Sequence, residues 1–209
     1  MIVIIDYRVG NVGSIQNMLR RLGHESSISS SKEEISRADK LILPGVGAFD
    51  AAMNKLNDSE LTGIINERVL VDKVPVLGIC LGMQLMTKGS AEGVIPGLGW
   101  IDATCKKFDF SGIAKDQQLK IPHMGWGATD IVSSGGIFAD WEGAARFYYV
   151  HSYYVALNNP EDAASTCEYG IKFTSSFRKQ NIFGVQFHPE KSHKFGMRLL
   201  NNFASMIND

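Results

Sequence analysis

Hydrophobic positions fall into two rhythms along the chain. Residues 2–5, Ile2-Val3-Ile4-Ile5, form an all-apolar run that stops at Asp6. A run apolar on both faces suits a buried parallel strand. Asn11-Val12-Gly13 reads as a turn. Ile15, Met18, Leu19 and Leu22 then recur at helical spacing, and Gly23 marks a stop. Ser31, with Glu34 three residues later, reads as a capping box for a short helix. Leu41-Ile42-Leu43 is the next buried strand, broken by Pro44-Gly45-Val46-Gly47. Helical patterns follow over 49–56 and 61–70, then a strand over 76–79 and a helix over 81–86. Strands alternating with helices predict a parallel sheet covered on both faces.

Beyond Gly97 the rhythm changes. "RFYYVHSYYVAL", "STCEY", "KFTSSFRK" and "IFGVQF" are β-branched and aromatic with short polar breaks. They predict antiparallel or mixed strands. Near the end, Phe195, Leu199, Phe203, Met206 and Ile207 share one helical face, with Ser192 as its cap. The expectation is one α/β domain over 1–209, with a parallel core in the first half and a β-rich layer in the second.

Composition narrows the classes. The 209 residues are 44% hydrophobic and 21% charged, enough for one sizeable core. A net charge of −1 gives no reason to expect nucleic acid or an anionic membrane as partner. No apolar run approaches the ~20 residues needed to span a bilayer. The start, "MIVIIDYRVGN", lacks the basic region and small-residue cleavage site of a secretory signal. Cys80, Cys105 and Cys167 make an odd count without CxxC spacing. That argues against a disulfide framework or a zinc site and predicts a cytoplasmic protein. No metal-ligand spacing and no phosphate loop is present, so neither metal nor cofactor is expected.

One cysteine stands out. Gly78-Ile79-Cys80-Leu81-Gly82 follows the nucleophile-elbow pattern, with sulfur in place of the serine oxygen. A strand turning abruptly into a helix holds its apex side chain clear of the sheet, and flanking glycines relieve crowding. The helix start offers free N–H groups and a dipole that favour the reactive thiolate. The N–H of Leu81 is placed to bond an oxyanion formed on a bound carbonyl. Cys105 and Cys167 lack such context and read as ordinary small residues.

A thiolate nucleophile needs a base and a group to orient that base. Of five histidines, His24 reads as structural or solvated, and His193 as a helix-start or surface residue. His123 has no acidic neighbour in sequence, and His151 fits either a core or a pocket wall. His188 ends the apolar strand of "FGVQFHPEK". Proline extends the residue before it, and side chains two apart in an extended segment point the same way. His188 and Glu190 therefore face one site, imidazole toward the thiol and carboxylate behind it.

"PGVGAF", "GICLGMQL", "PHMGW", "YYVHSYY" and "FGVQFHPEKS" together resemble the class I glutamine amidotransferases. More narrowly they are similar to the glutaminase subunits of imidazole glycerol phosphate synthase, of histidine biosynthesis. The similarity runs from "IIDYRVGN" to "RLLNNF". It implies a three-layer, flavodoxin-like fold with a central, mostly parallel sheet. It implies glutaminase chemistry: Cys80 attacks the glutamine side-chain amide, His188 moves the proton to the leaving ammonia and Glu190 orients His188. The resemblance further assigns Val46 and Gly47, with Leu81, to the oxyanion, through a glycine-rich peptide that must reorient. Gln84 and Gly47 contact the glutamine, Glu92 holds its α-amino group, and Ser152 and Tyr153 hold its α-carboxylate.

The family's glutaminase docks on a (β/α)₈ cyclase subunit that receives the ammonia. Asn11, Trp126, Tyr148 and Lys191 match positions at or near that docking face. Two departures lie in these blocks: Arg8 stands where the family commonly has glycine, and Gly127 where it has asparagine. Both are expected near the docking face or the glutamine pocket. The tail "EKSHKFGMRLLNNF" and "GLGWIDA" also resemble a paralogous branch that amidates a surface-polysaccharide sugar, so two ammonia acceptors stay open. The elbow alone also fits a cysteine hydrolase that works without a partner and has no use for Gln84 or Glu92.

Overall fold

The computed structural model describes residues 1–112 and 119–206, so Ile207 lies outside the described residues. The first half alternates strand and helix: β1 (Ile2–Ile5), α1 (Val12–Arg21), β2 (Ser26–Ser29), α2 (Lys32–Ser36), β3 (Lys40–Gly45), α3 (Phe49–Asp58), α4 (Thr62–Asn66), β4 (Val76–Cys80) and α5 (Leu81–Leu85). A π-helical turn, Glu67–Val71, extends α4. The second half holds β5 (Ala103–Lys107), β6 (His123–Ile131), β7 (Ala145–His151), β8 (Tyr153–Leu157), β9 (Ala163–Tyr169), β10 (Ile171–Lys179) and β11 (Ile182–Val185), then α6 (His193–Ser205).

One sheet runs through both halves, in the order β2-β1-β3-β4-β11-β10-β9-β6-β7, with β5 and β8 paired off this path. The first five strands of that order are mutually parallel. From β10 onward every pairing is antiparallel. The β-rich second half is thus a continuation of the parallel sheet rather than a layer of its own. The join is β11, which leaves the antiparallel hairpin with β10 to lie parallel beside β4.

Alternation within each strand divides the core in two. Val3 and Ile5 pack on one face with Leu41, Leu43, Phe49, Met53 and Ile65. Ile2 and Ile4 pack on the other with Ile15, Leu19, Leu199 and Phe203. Helices α3 and α4 therefore cover one face and α1 and α6 the other, which gives the three layers. Each fully buried Leu, Ile or Phe contributes about 1.5–3 kcal/mol. That is why short strands such as β1 and β4, buried at every position, form the interior of the parallel half.

Local signals succeed in part. Ser31 Oγ accepts from the Glu34 N–H at 3.4 Å, so half of the capping box forms. The Ser31 N–H donates instead to Ser29 Oγ. Pro44 and Gly45 end β3 rather than break it. Ser192 precedes α6 but makes no side-chain cap. Its Oγ donates to the His188 carbonyl at 2.6 Å and accepts from the Tyr148 N–H at 3.0 Å. It ties the segment after β11 to β7.

Glycines let α5 sit on the sheet. A Cβ on Gly82 would lie 1.9 Å from the Leu43 carbonyl oxygen, and one on Gly45 would lie 2.5 Å from the Gly82 nitrogen. Both obstacles are backbone, which cannot swing away. Gly82→Ala is therefore expected to cost more than ~3 kcal/mol, above the usual range for overpacking. Denaturant unfolding, or a collapse in soluble yield, reads it. A variant as stable as the parent would contradict this packing.

Candidate active site

Strand β4 delivers Cys80 to the C-terminal edge of the parallel strands, where ligands bind in open α/β sheets. Cys80 has φ 54° and ψ −109°, a conformation that favours glycine. Strain of this kind costs of order 1–3 kcal/mol and persists only where neighbours enforce it. The parallel register is what enforces it here. Gly45 on β3 lies opposite Cys80, and Val185 on β11 lies opposite Ile79. The two segments leaving those neighbours carry Val46-Gly47 on one side of the sulfur and His188 on the other. The helix after the elbow is only five residues long. Its individual N–H groups, more than a long-helix dipole, face the apex.

His188 is extended, with φ −103° and ψ 97°, as proline after it requires. Pro189–Lys191 then forms a 3₁₀ turn. The turn, not continued extension, brings Glu190 Oε1 to 2.8 Å from His188 Nδ1. Both side chains are almost wholly buried. The backbone N–H of His188 donates to the Tyr148 carbonyl at 2.9 Å, which fixes the ring's base. Nε2 makes no hydrogen bond of ordinary geometry, although Cys80 is close enough to act on it. Burial pushes the imidazole's pKa down, but Cys80 and Glu190 together outweigh burial and raise it to about 10. At neutral pH the ring holds its proton. Its charge favours the fold fully below about pH 6.5 and loses that effect as pH rises through about 10.

A cleft of about 340 Å³ opens over the sulfur, lined among others by Val46, Gly47, Cys80, Leu81, His188 and Lys191. Gln84, Glu92, Ser152 and Tyr153 line it too. Gln84 is 4% exposed, so it is no surface amide. Its Nε2 donates to the Tyr153 carbonyl and to Gln186 Oε1, each at 3.0 Å. Glu92 Oε2 accepts from the Phe49 N–H at the start of α3 at 3.0 Å. Asp50, next along α3, accepts from the N–H groups of Val94 and Ile95. These crossed bonds clasp the loop that carries Glu92 to α3. Gly47 has φ +95°, a position at which its lack of a Cβ matters.

Trp126 stands 41% exposed on β6, stacked on His193 with ring centroids 5.6 Å apart. Tyr148 meets it edge-on at 6.4 Å, and Lys191 Nζ lies 5.9 Å from the Tyr148 ring centre. These three positions form one surface beside the cleft. Asn11 is exposed at the N-terminus of α1. Arg8 has φ 64° and an exposed side chain, so it keeps a backbone shape usual for glycine. Its N–H donates to Asp6 Oδ1, and its carbonyl accepts from Lys55 Nζ. Gly127 follows Trp126 on β6, next to the expected docking face. It is buried, and a Cβ there would lie 2.9 Å from the Tyr149 ring and 3.0 Å from Cys167 Sγ. Glycine at 127 makes room for those two side chains, and the residue lines neither the surface nor the cleft.

Three groups escaped the sequence reading. Tyr7 Oη donates to the Pro44 carbonyl at 2.5 Å, bracing the strand that leads to Val46 and Gly47. Gln186 lies two residues before His188, so a lone polar residue in "FGVQF" was the available signal. His123 and His151 are buried as a pair, Nδ1 to Nε2 at 3.2 Å. The Tyr153 carbonyl accepts a hydrogen bond from the His151 Nδ1–H at 2.8 Å, so His151 Nε2 accepts from His123. Burial lowers both pKa values, to about 4 for His123 and about 3 for His151.

That pair makes the fold sensitive to acid. Both rings are neutral in the folded protein and protonate below about pH 6.5 once unfolded. The pair's contribution to stability is full above that pH and falls as pH drops through the folded values. At pH 5 the two sites contribute a slope of at most about 2.7 kcal/mol per pH unit. Denaturant midpoints measured between pH 7 and 4.5 check this, and His151→Gln is expected to flatten the curve by about half. Equal slopes in parent and variant would contradict it.

A family model described as "Glutamine amidotransferase class-I" matches residues 3–207. The chain belongs to the class-I glutamine amidotransferase family. Among the amidotransferase's relatives is "Imidazole glycerol phosphate synthase subunit HisH 2" of Pseudomonas aeruginosa. The two are 47% identical over 207 residues, covering 99% of this chain and 100% of that one. The protein of the same description from Methanococcus maripaludis is 49% identical over 203 residues, covering 97% and 98%. The fold recurs in the structure of PurLQS from Thermotoga maritima. There the TM-score is 0.73 at 13% identity, over 97% of this amidotransferase and 96% of that chain.

Proposed function

We propose that this amidotransferase is the glutaminase subunit of an imidazole glycerol phosphate synthase in histidine biosynthesis, with 1–209 acting as one glutaminase domain. The observation that carries the reading is the single cleft holding Cys80, His188, Gln84, Glu92, Ser152 and Tyr153 together. Its size suits an amino acid. Glutamine lies with its α-ammonium toward Glu92, its α-carboxylate toward Ser152 and Tyr153, and its amide carbon over Cys80.

The chemistry follows from the charges. Cys80 Sγ attacks the amide carbon, an S–C bond forms, and the carbonyl oxygen becomes an oxyanion. Leu81 N–H and the peptide between Val46 and Gly47, once rotated, donate to it. His188 gives its proton to the amide nitrogen, the C–N bond breaks, and ammonia leaves. His188 then takes a proton from water, hydroxide attacks the thioester, and the S–C bond breaks to release glutamate. Glu190 holds Nδ1 throughout, which keeps Nε2 aimed at the reacting atoms.

Ammonia passes to a (β/α)₈ cyclase-type partner. The surface of Trp126, Tyr148 and Lys191, with Asn11, supplies the docking face, and an exposed tryptophan suits an interface anchor. A cytoplasmic location follows from the same reading. Among the described residues no helix is long and apolar enough to cross a membrane. A partner-independent hydrolase has no use for Gln84 or Glu92, yet both line the cleft. Steady-state glutaminase assays of the chain alone, and mixed with its barrel partner and that partner's ligand, test the proposal. Turnover is expected to be very low alone and to rise in the complex. Comparable rates in both would refute the coupling.

A further inference from the structure

Gln186 is fully buried between β11 and the catalytic turn. A buried amide costs free energy unless its polar ends are bonded. Its backbone N–H donates to the Ser175 carbonyl at 2.8 Å, which anchors the residue to β10. Its side chain goes elsewhere: Oε1 lies 3.0 Å from Gln84 Nε2, and Nε2 lies 3.8 Å from Cys80 Sγ.

Which end of each amide points where follows from one backbone group. The Tyr153 carbonyl can only accept, so the nitrogen end of Gln84 must face it. That nitrogen's second proton meets Gln186, which must therefore present oxygen to Gln84 and nitrogen to the sulfur. A buried line of donors thus runs from Gln84 through Gln186 to Cys80. His151 Nδ1, donating to the same Tyr153 carbonyl, braces its far end. The arrangement has two consequences. Cys80 receives an N–H donor from Gln186, and a donor favours the anionic sulfur. Both protons on the Gln84 nitrogen are spent, so Gln84 offers its oxygen to the ligand.

We propose that Gln186 is a further catalytic residue of the glutaminase site, donating to the Cys80 thiolate and fixing which end of Gln84 meets the substrate. This rests on the glutaminase reading above. Among the described residues, the titratable and charged groups around the sulfur are His188 backed by Glu190, Tyr7 beneath it, and His151, Glu92 and Lys191 lining the same cleft. A substitution at Gln186 leaves all of them in place.

The test is Gln186→Met, which keeps length and removes the donor. The rate of Cys80 alkylation by iodoacetamide is followed against pH in the full chain, with and without glutamine. A charge-assisted bond of the usual strength predicts a midpoint raised by about 1–2 pH units. Weaker protection by glutamine is expected with it, because Gln84 is freed to turn. An unchanged midpoint in a folded variant would overturn the proposal, since a purely structural side chain would not move it. Should the variant not fold, the unsubstituted chain decides. The Gln186 side-chain amide resonances must then shift with pH at the alkylation midpoint, and resonances that stay fixed would overturn the proposal. If glutamine fails to protect Cys80 in the unsubstituted chain, the glutaminase reading falls, whatever the Gln186 result.

Discussion

Cys80→Ala is expected to abolish glutamine-dependent synthesis by the complex and to leave ammonia-dependent synthesis intact. In the proposed mechanism every covalent step at the amide runs through the sulfur. Loss of a nucleophile that works as part of a catalytic unit costs on the order of 10⁴- to 10⁶-fold. The alanine fits, because it removes one buried atom and leaves Val46, Leu81 and His188 in place around the cleft. Parallel assays with glutamine and with an ammonium salt check this. If added ammonia does not restore synthesis, the division of labour between this chain and a barrel partner is wrong.

His188→Asn is expected to lower the glutaminase rate by about 10²- to 10⁴-fold, the usual size of general acid–base assistance. Asparagine keeps a polar group near Glu190 but carries no proton that can move to ammonia. On the proposed mechanism the loss falls mainly on kcat, because the proton of His188 goes to the leaving nitrogen while Glu92, Ser152 and Tyr153, which line the same cleft, would hold the rest of the glutamine. Cys80 is one of the two groups that hold the His188 pKa up. In Cys80→Ala, the His188 pKa should accordingly fall from about 10, since a raising influence has gone and burial remains. An NMR titration of the ring reads that shift. A near-normal rate in His188→Asn would remove His188 from its role.

The parallel half of the fold was legible because buried strands advertise themselves. Residues 2–5, 41–43 and 76–79 are apolar at every position, and each lies inside an interior strand of the parallel half. Strand β2, Ser26–Ser29, escaped because an edge strand of serines has no such signature. The partnership of β11 with β4 escaped for another reason. Parallel pairing joins residues distant in sequence, and nothing within "IFGV" says which strand will lie beside it.

The site divides in the same way. Cys80, His188 and Glu190 were readable because an elbow needs its glycines and a proline fixes the residue before it. Even so, Glu190 reaches His188 through a turn rather than through extension. Gln186 and the His123–His151 pair meet groups far along the chain, so their contacts exist only in three dimensions. Gly127 shows the reverse. A position singled out against a motif proved to be shaped by the packing of Tyr149 and Cys167.

The most direct measurement is mass spectrometry of the chain after treatment with a glutamine-like diazo-ketone. The account predicts a single adduct on Cys80, suppressed in proportion to added glutamine and unaffected by amino acids that lack the side-chain amide. An unlabelled Cys80, or labelling that glutamine does not slow, would contradict it.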